Sequence, residues 1–145
     1  ENEIKYISLT PPEREKFIEK IESFFSLRKD VVFAYLFGSC VTGEGFRDMD
    51  IAVFLKETPT MPLKLEISLS NEIWQFLGKP RFEVDVKVLN TAPVYFQYEV
   101  IKTGRIIYSK DEAERIEYEA TEASEYLDYK PTLEFFDQEL LARIG

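Results

Sequence analysis

Apolar and polar positions change rhythm along the chain, and each rhythm predicts an element. Behind Thr10-Pro11-Pro12-Glu13, a capping box with proline in the first turn, Phe17, Ile18, Ile21, Phe24 and Phe25 recur at helical spacing. This predicts an amphipathic helix over about residues 11–28 that covers a sheet. Val31 to Phe37 is an unbroken apolar run, as expected of a strand buried on both faces, and it stops at Gly38-Ser39. From Asp48 to Leu55 the rhythm turns to strict alternation. Met49, Ile51, Val53 and Leu55 point one way, while Asp48, Asp50, Ala52 and Phe54 point the other. Prolines at 59 and 62 mark a loop. A second helix follows on Leu65, Leu69, Ile73, Phe76 and Leu77, stopped by Gly78-Lys79-Pro80. Alternation then returns, with Phe82, Val84, Val86 and Val88 on one face and Glu83, Asp85 and Lys87 on the other.

In the last third, Pro93 opens a shorter helix with Val94, Tyr98 and Ile101 along one side, Gly104 closes it, and Ile106 to Tyr108 adds a short edge strand. Ser109-Lys110-Asp111-Glu112 reads as a second capping box, from which Ile116, Ala120, Ala123 and Leu127 form an apolar stripe. Pro131 is expected to kink or break this helix, leaving a final one over about residues 132–144. There is no internal repeat and no low-complexity linker. The expected architecture is α/β: a small mixed sheet with flanking helices placed on one side and a C-terminal helical tail. Residues 1–110 form the core and 111–145 an extension packed on it, a single domain overall.

The chemistry gathers between the first two strands. Asp48 and Asp50 on one strand face lie about 7 Å apart and repel each other unless something positive sits between them. A hard divalent cation answers this, and magnesium is commonly shared between one or two carboxylates and substrate phosphates. Gly38 allows close approach of a phosphate to the backbone, and Ser39 offers hydroxyl and amide donors. If the third strand lies beside the second, Asp85 completes a two-metal carboxylate cluster. Cys40 reads as a small filler, and Glu83 and Lys87 as a solvated strand face.

Gly-Ser, a short loop, Asp-x-Asp and a third Asp on a later strand resemble the polymerase-beta-type nucleotidyltransferase superfamily, and within it the minimal nucleotidyltransferases (MNT). The resemblance covers nearly the whole chain. Leu89 to Pro93, Tyr98 to Tyr108 and the segment from Ser124 to Pro131 are similar to the antitoxins of HEPN/MNT toxin-antitoxin systems. It implies a nucleotidyltransferase fold that transfers AMP from ATP to a tyrosine of a HEPN-domain ribonuclease toxin. Asp48 and Asp50 would then hold magnesium that also binds the triphosphate, Gly38 and Ser39 would cradle the outer phosphates, and Asp85 would help bind a second metal and deprotonate the acceptor hydroxyl. The chain departs from the family at two points. Gly38-Ser39-Cys40-Val41-Thr42-Gly43 stands where family members commonly carry two arginines, and Arg47 stands where a serine is usual, after a shortened loop. Arg47 either restores the lost positive charge at the nucleotide or pairs with Asp48 and blocks the metal.

Charge narrows the acceptor. A net charge of −9 is repelled by a nucleic acid backbone, so a protein or small-molecule acceptor is favoured over RNA or DNA. A HEPN ribonuclease binds RNA and so carries basic surface, toward which Glu119, Glu122 and Glu125 on a wet helix face would steer it. Tyr118, Tyr126, Tyr129, Phe135 and Phe136 are core or interface, and homo- or hetero-oligomers are both open. One cysteine allows no internal disulfide and points to the cytoplasm. No stretch is long enough to span a membrane, and the start Glu1 to Lys5 is no signal peptide. The absence of histidine removes the commonest general base. Two other functions stay open: adenylylation of a small hydroxylated molecule, and a non-catalytic antitoxin that masks its toxin.

Overall fold

A computed structural model of the chain describes residues 6–42 and 44–144, without the side chains of residues 133, 136, 137, 140, 141, 143 and 144. The opening segment from Glu1 to Lys5, Gly43 of the loop and the side chain of Phe136 therefore lie outside the described residues. Helix α1 (Pro11–Ser26) begins as its capping box requires. The Thr10 amide donates to Glu13 Oε1 at 2.8 Å and the Glu13 amide to Thr10 Oγ1 at 3.3 Å. Strand β1 (Val31–Phe37) leads through a short 3₁₀ turn at Gly38–Val41 and a loop into β2 (Asp48–Leu55), with which it pairs antiparallel. Helix α2 (Pro62–Phe76) then crosses back to β3 (Glu83–Val88), which runs parallel to β2. The helix stops where Gly78 takes a φ of +85°, a conformation that glycine alone reaches freely. Helix α3 (Val94–Thr103) and strand β4 (Arg105–Ser109) follow, and β4 adds antiparallel to the free side of β1 as the expected edge strand. The sheet order is β3-β2-β1-β4.

Burial sorts the two sheet faces. Ile18, Ile21 and Phe25 of α1 and Leu69 and Ile73 of α2 pack on Met49, Ile51, Val53, Val84, Val86 and Val88. Each such side chain, fully buried, is worth about 1.5–3 kcal/mol. Val100 of α3 and Tyr118 of the last helix cover the other face over Phe33, Tyr35 and Ala52. Helices thus flank both faces and not one side as expected, because β1, apolar at every position, needs cover on each face.

Edge strand β3 is closed by its own crossover helix. Its outward Val86 amide donates to Ser70 Oγ at 2.9 Å and its Val88 amide to Glu66 Oε2 at 2.8 Å, both from α2. Backbone donors that would otherwise invite another strand are satisfied inside the chain.

Helix α4 (Glu112–Ile144) corrects the sequence reading in three ways. Asp111, and not Ser109, supplies the cap, since Asp111 Oδ1 accepts from the Glu114 amide at 3.0 Å. The helix continues through Pro131 without a break. Proline there removes one backbone bond to the carbonyl of Leu127, and in an exposed stretch water can replace it. Finally, the face that packs is not the stripe of Ile116, Ala120 and Leu127, which is exposed. The packed stripe carries Arg115, Tyr118, Glu119, Glu122, Ala123 and Tyr126. Tyr118 donates to Gln97 Oε1 at 2.6 Å, Tyr35 donates to Glu119 Oε2 at 2.5 Å, and Tyr98 stacks on Tyr126 with ring centres 4.0 Å apart. Polarity was misleading because this seam is built from hydrogen-bonded tyrosines and acids. Glu119 is therefore part of the packing, not of a wet face. Tyr118 is core, while Tyr129 is exposed.

Candidate active site

The register of the sheet brings the acids together. Asp50 lies opposite Phe37 on one side, where β1 ends in Gly38, and opposite Asp85 of β3 on the other, while Asp48 is in register with Glu83. Asp48 and Asp50 are both half-buried and share a face, as strand alternation predicts. The turn is shaped around Asp50. Gly38 has a φ of +75°, and a Cβ built on it would come within 2.6 Å of Asp50 Oδ2. Only glycine fits there, for reasons of both conformation and space. Gly38 and Ser39 are exposed at the strand end, and no side chain caps the 3₁₀ turn they begin.

Cys40 fixes this arrangement. Its Sγ donates to the Phe37 carbonyl at 3.0 Å and accepts from the Asp50 amide at 3.3 Å, so a buried thiol ties the turn to β2. Burial, with Asp50 and Asp48 nearby, pushes the thiol up to about 11, which removes it as a nucleophile. It is a filler with a positioning role. From α1, Arg14 Nη1 donates to the carbonyls of Val41 at 3.0 Å and Thr42 at 2.7 Å, holding the far end of the turn. Arg47 is exposed and forms no ion pair with Asp48 among the described residues.

Electrostatics mark the site more sharply than shape. No hydrogen bond reaches the carboxylate of Asp50 among the described residues, and burial, then Asp85 and Asp48, push it up to about 6. Lys87 acts in the opposite direction. Lys87 lies on a solvated strand face as expected, its side chain 44% exposed, and it also stands beside the cluster, its Nζ 3.7 Å from Asp85 Oδ1. Among the described residues no three acids, histidines or cysteines stand close enough together to hold a metal ion by themselves, Asp48, Asp50 and Asp85 included. Asp50 against the Gly38 turn, with Asp48 on the same strand face, suits a different arrangement, an oxygen-preferring cation whose remaining positions come from substrate phosphates and water. The donor set fits magnesium on that basis.

Sequence reading did not find Arg14 or the tie made by Cys40. Arg14 leaves no local signal, since its contact crosses 27 residues. Lys87 did leave one, because alternation from Asp85 puts it on the same face.

Residues 19–113, well over half of the chain, match the family model "Polymerase beta, Nucleotidyltransferase". The chain belongs to this nucleotidyltransferase family. No curated protein matches it in sequence. Its fold is similar to several solved structures. One comes from the toxin-antitoxin pair MntA-HepT, with a TM-score of 0.70, 17% identity, 88% of this chain and 98% of the other covered. Another is from a tri-AMPylated Shewanella oneidensis HEPN toxin in complex with an MNT antitoxin, with a TM-score of 0.71, 18% identity and the same coverage of 88% and 98%. A third is a toxin-antitoxin with AMP-PNP, with a TM-score of 0.71, 20% identity and coverage of 86% and 98%. At these identities the likeness establishes the fold.

Proposed function

We propose that this chain transfers AMP from ATP to a tyrosine hydroxyl of a HEPN ribonuclease toxin and acts as its antitoxin. The observation that carries this reading is the Asp50 carboxylate, unpaired among the described residues, set between the Gly38 turn and Asp85 and on one strand face with Asp48. The family and the antitoxin fold of its structural neighbours support it. Residues 1–110 serve as the transferase core and 111–145 as an extension that meets the partner. The single buried Cys40 supports a cytoplasmic setting.

Asp48 and Asp50 would hold magnesium, with Asp85 for a second ion, and the metal would neutralise phosphate charge and polarise the α-phosphoryl group. Gly38 and Ser39 orient the outer phosphates through backbone donors. The tyrosine oxygen attacks the α-phosphorus, and its proton passes to Asp85. The bond from the α-phosphorus to the oxygen bridging to the β-phosphate breaks, and pyrophosphate leaves with the electron pair. Lys87, beside Asp85, supplies positive charge near the phosphoryl oxygens. Arg47, exposed next to Asp48, is free to meet the triphosphate in place of the arginines this turn lacks.

The test mixes the chain with its HEPN partner and ATP labelled at either the α- or the γ-phosphate. Only the α-label is expected on the toxin tyrosine, and Asp48→Asn or Asp50→Asn should each lower transfer on the order of 10² to 10³-fold. Neutralisation of the toxin by these variants without any label on it would point to masking.

A further inference from the structure

We infer that the groove between α2 and the outer edge of β3 docks the acceptor polypeptide, and that it selects a segment in which basic and apolar residues flank the reacting hydroxyl. The inference rests on the transferase reading above and adds to it where the acceptor lies and what chemistry it carries.

Direction comes first. The strand order sets Gly38-Ser39 at the end of β1, Asp50 in the middle and Asp85 on the outermost strand. With the outer phosphates at Gly38-Ser39, in-line displacement brings the attacking oxygen from the opposite side of the α-phosphorus, over β3. A groove of about 500 Å³ begins there. Its walls carry Asp48, Glu83 and Asp85 on the strand side, and Leu63, Glu66 and Ile67 on the helix side. Leu63 is 66% and Ile67 63% exposed, one helical turn apart, next to the carboxylates. Exposed single leucines need no explanation, but two in line along the wall of a candidate active-site groove present an apolar anchor.

Charge identifies the occupant. With Asp48 and Asp85 given to the cation, Glu66 and Glu83 keep the rest of the groove negative against Lys87, which repels an RNA and attracts a basic peptide. Simple strand addition along β3 is disfavoured, because Ser70 and Glu66 already take the Val86 and Val88 amides. Recognition therefore runs through the side chains of the incoming segment, with apolar ones on Leu63 and Ile67 and basic ones on the acids.

Two labelled synthetic peptides test this, each with one tyrosine between leucines and with outer residues either arginine or glutamate. Fluorescence anisotropy measures their binding in the presence of magnesium and a non-hydrolysable ATP analogue. The arginine peptide is expected to bind about tenfold better than the glutamate peptide. Leu63→Ser combined with Ile67→Ser should weaken it about tenfold while the affinity for the ATP analogue and the thermal midpoint stay unchanged. Glu66→Gln with Glu83→Gln, which keeps an acceptor for the Val88 amide, should shrink the preference between the peptides. Equal binding of the two peptides, no binding of either, or full binding by the double serine variant overturns the inference. Transfer is read separately with ATP labelled at the α-phosphate and the HEPN partner. If no label moves in wild type, the transferase reading fails, whereas the binding result still decides the groove.

Discussion

Two regions of this molecule place carboxylates against the same sheet, and they treat them oppositely. Along the α4 seam, Glu119 accepts from the buried Tyr35 hydroxyl at 2.5 Å and from Arg115 Nη1 at 2.7 Å, and Arg115 also pairs with Glu112. Nearby, Gln97 is gripped between Tyr118 and the Ala92 carbonyl. One oxygen of Glu122 is the exception, buried with no hydrogen-bond partner among the described residues, and burial followed by Glu125 raises its carboxyl. Nearer the Gly38 turn, Asp50 has no donor among the described residues and two acids for neighbours. A carboxylate that has partners holds the chain together. One that has been denied them is waiting for a ligand, and its unfavourable charge is the driving force for binding a cation.

The largest effect should come from closing the turn at the unpaired end. Gly38→Ala adds a Cβ within 2.6 Å of Asp50 Oδ2 in a backbone conformation that alanine resists. Either the carboxylate or the turn must move, and a displacement near 1 Å at a reacting centre costs about 10²-fold. Transfer of α-labelled AMP should fall by at least that much while circular dichroism stays native. Retained transfer would mean that the turn does not position Asp50.

The paired end responds in stability instead. Tyr118→Phe leaves Gln97 Oε1 without its donor in a residue that is only 7% exposed. An orphaned buried acceptor costs about 1–3 kcal/mol. Urea denaturation should show that loss, while transfer per folded molecule, measured well below the midpoint, should match wild type. A variant that kept its stability but lost transfer would make the seam part of the active site and erase the contrast.

The same contrast explains what could be read from the chain. Capping at Thr10, the unbroken apolar run of β1 and the alternation around Asp48, Asp50 and Asp85 are local patterns, and each led to the observed element. Because alternation fixes the side on which a side chain emerges, most of the candidate site followed from it. Helix α4 resisted the same treatment. Its packed face is polar in composition, and only long-range partners such as Tyr35, 84 residues from Glu119, make it a buried one. Pro131 misled for a related reason, as an exposed helix tolerates one missing backbone bond. Arg14 and Cys40 act through the folded turn, and no spacing rule announces either.

The smallest effect is also the most direct measure of what the unpaired end costs. Burial, then Asp85 and Asp48, raise the Asp50 carboxyl from an ordinary 3.8 to about 6. The folded chain therefore binds this proton more tightly than the unfolded chain does. Ionised Asp50 lowers stability fully above pH 6, the penalty fades as pH falls from 6 toward 4, and below that range it is gone. Asp50→Asn removes the charge, so the variant should be more stable than wild type by about 1 kcal/mol at pH 7.5, allowing for the solvent that still reaches the group. That corresponds to a rise of about 2–4 °C in thermal midpoint, shrinking to nothing at pH 4. Magnesium with an ATP analogue, in large excess, should reverse the order, since wild type gains binding energy that the variant largely lacks. A variant less stable than wild type at neutral pH would show that Asp50 has a partner in the folded chain. A variant that gains as much as wild type from magnesium would move the cation away from Asp50.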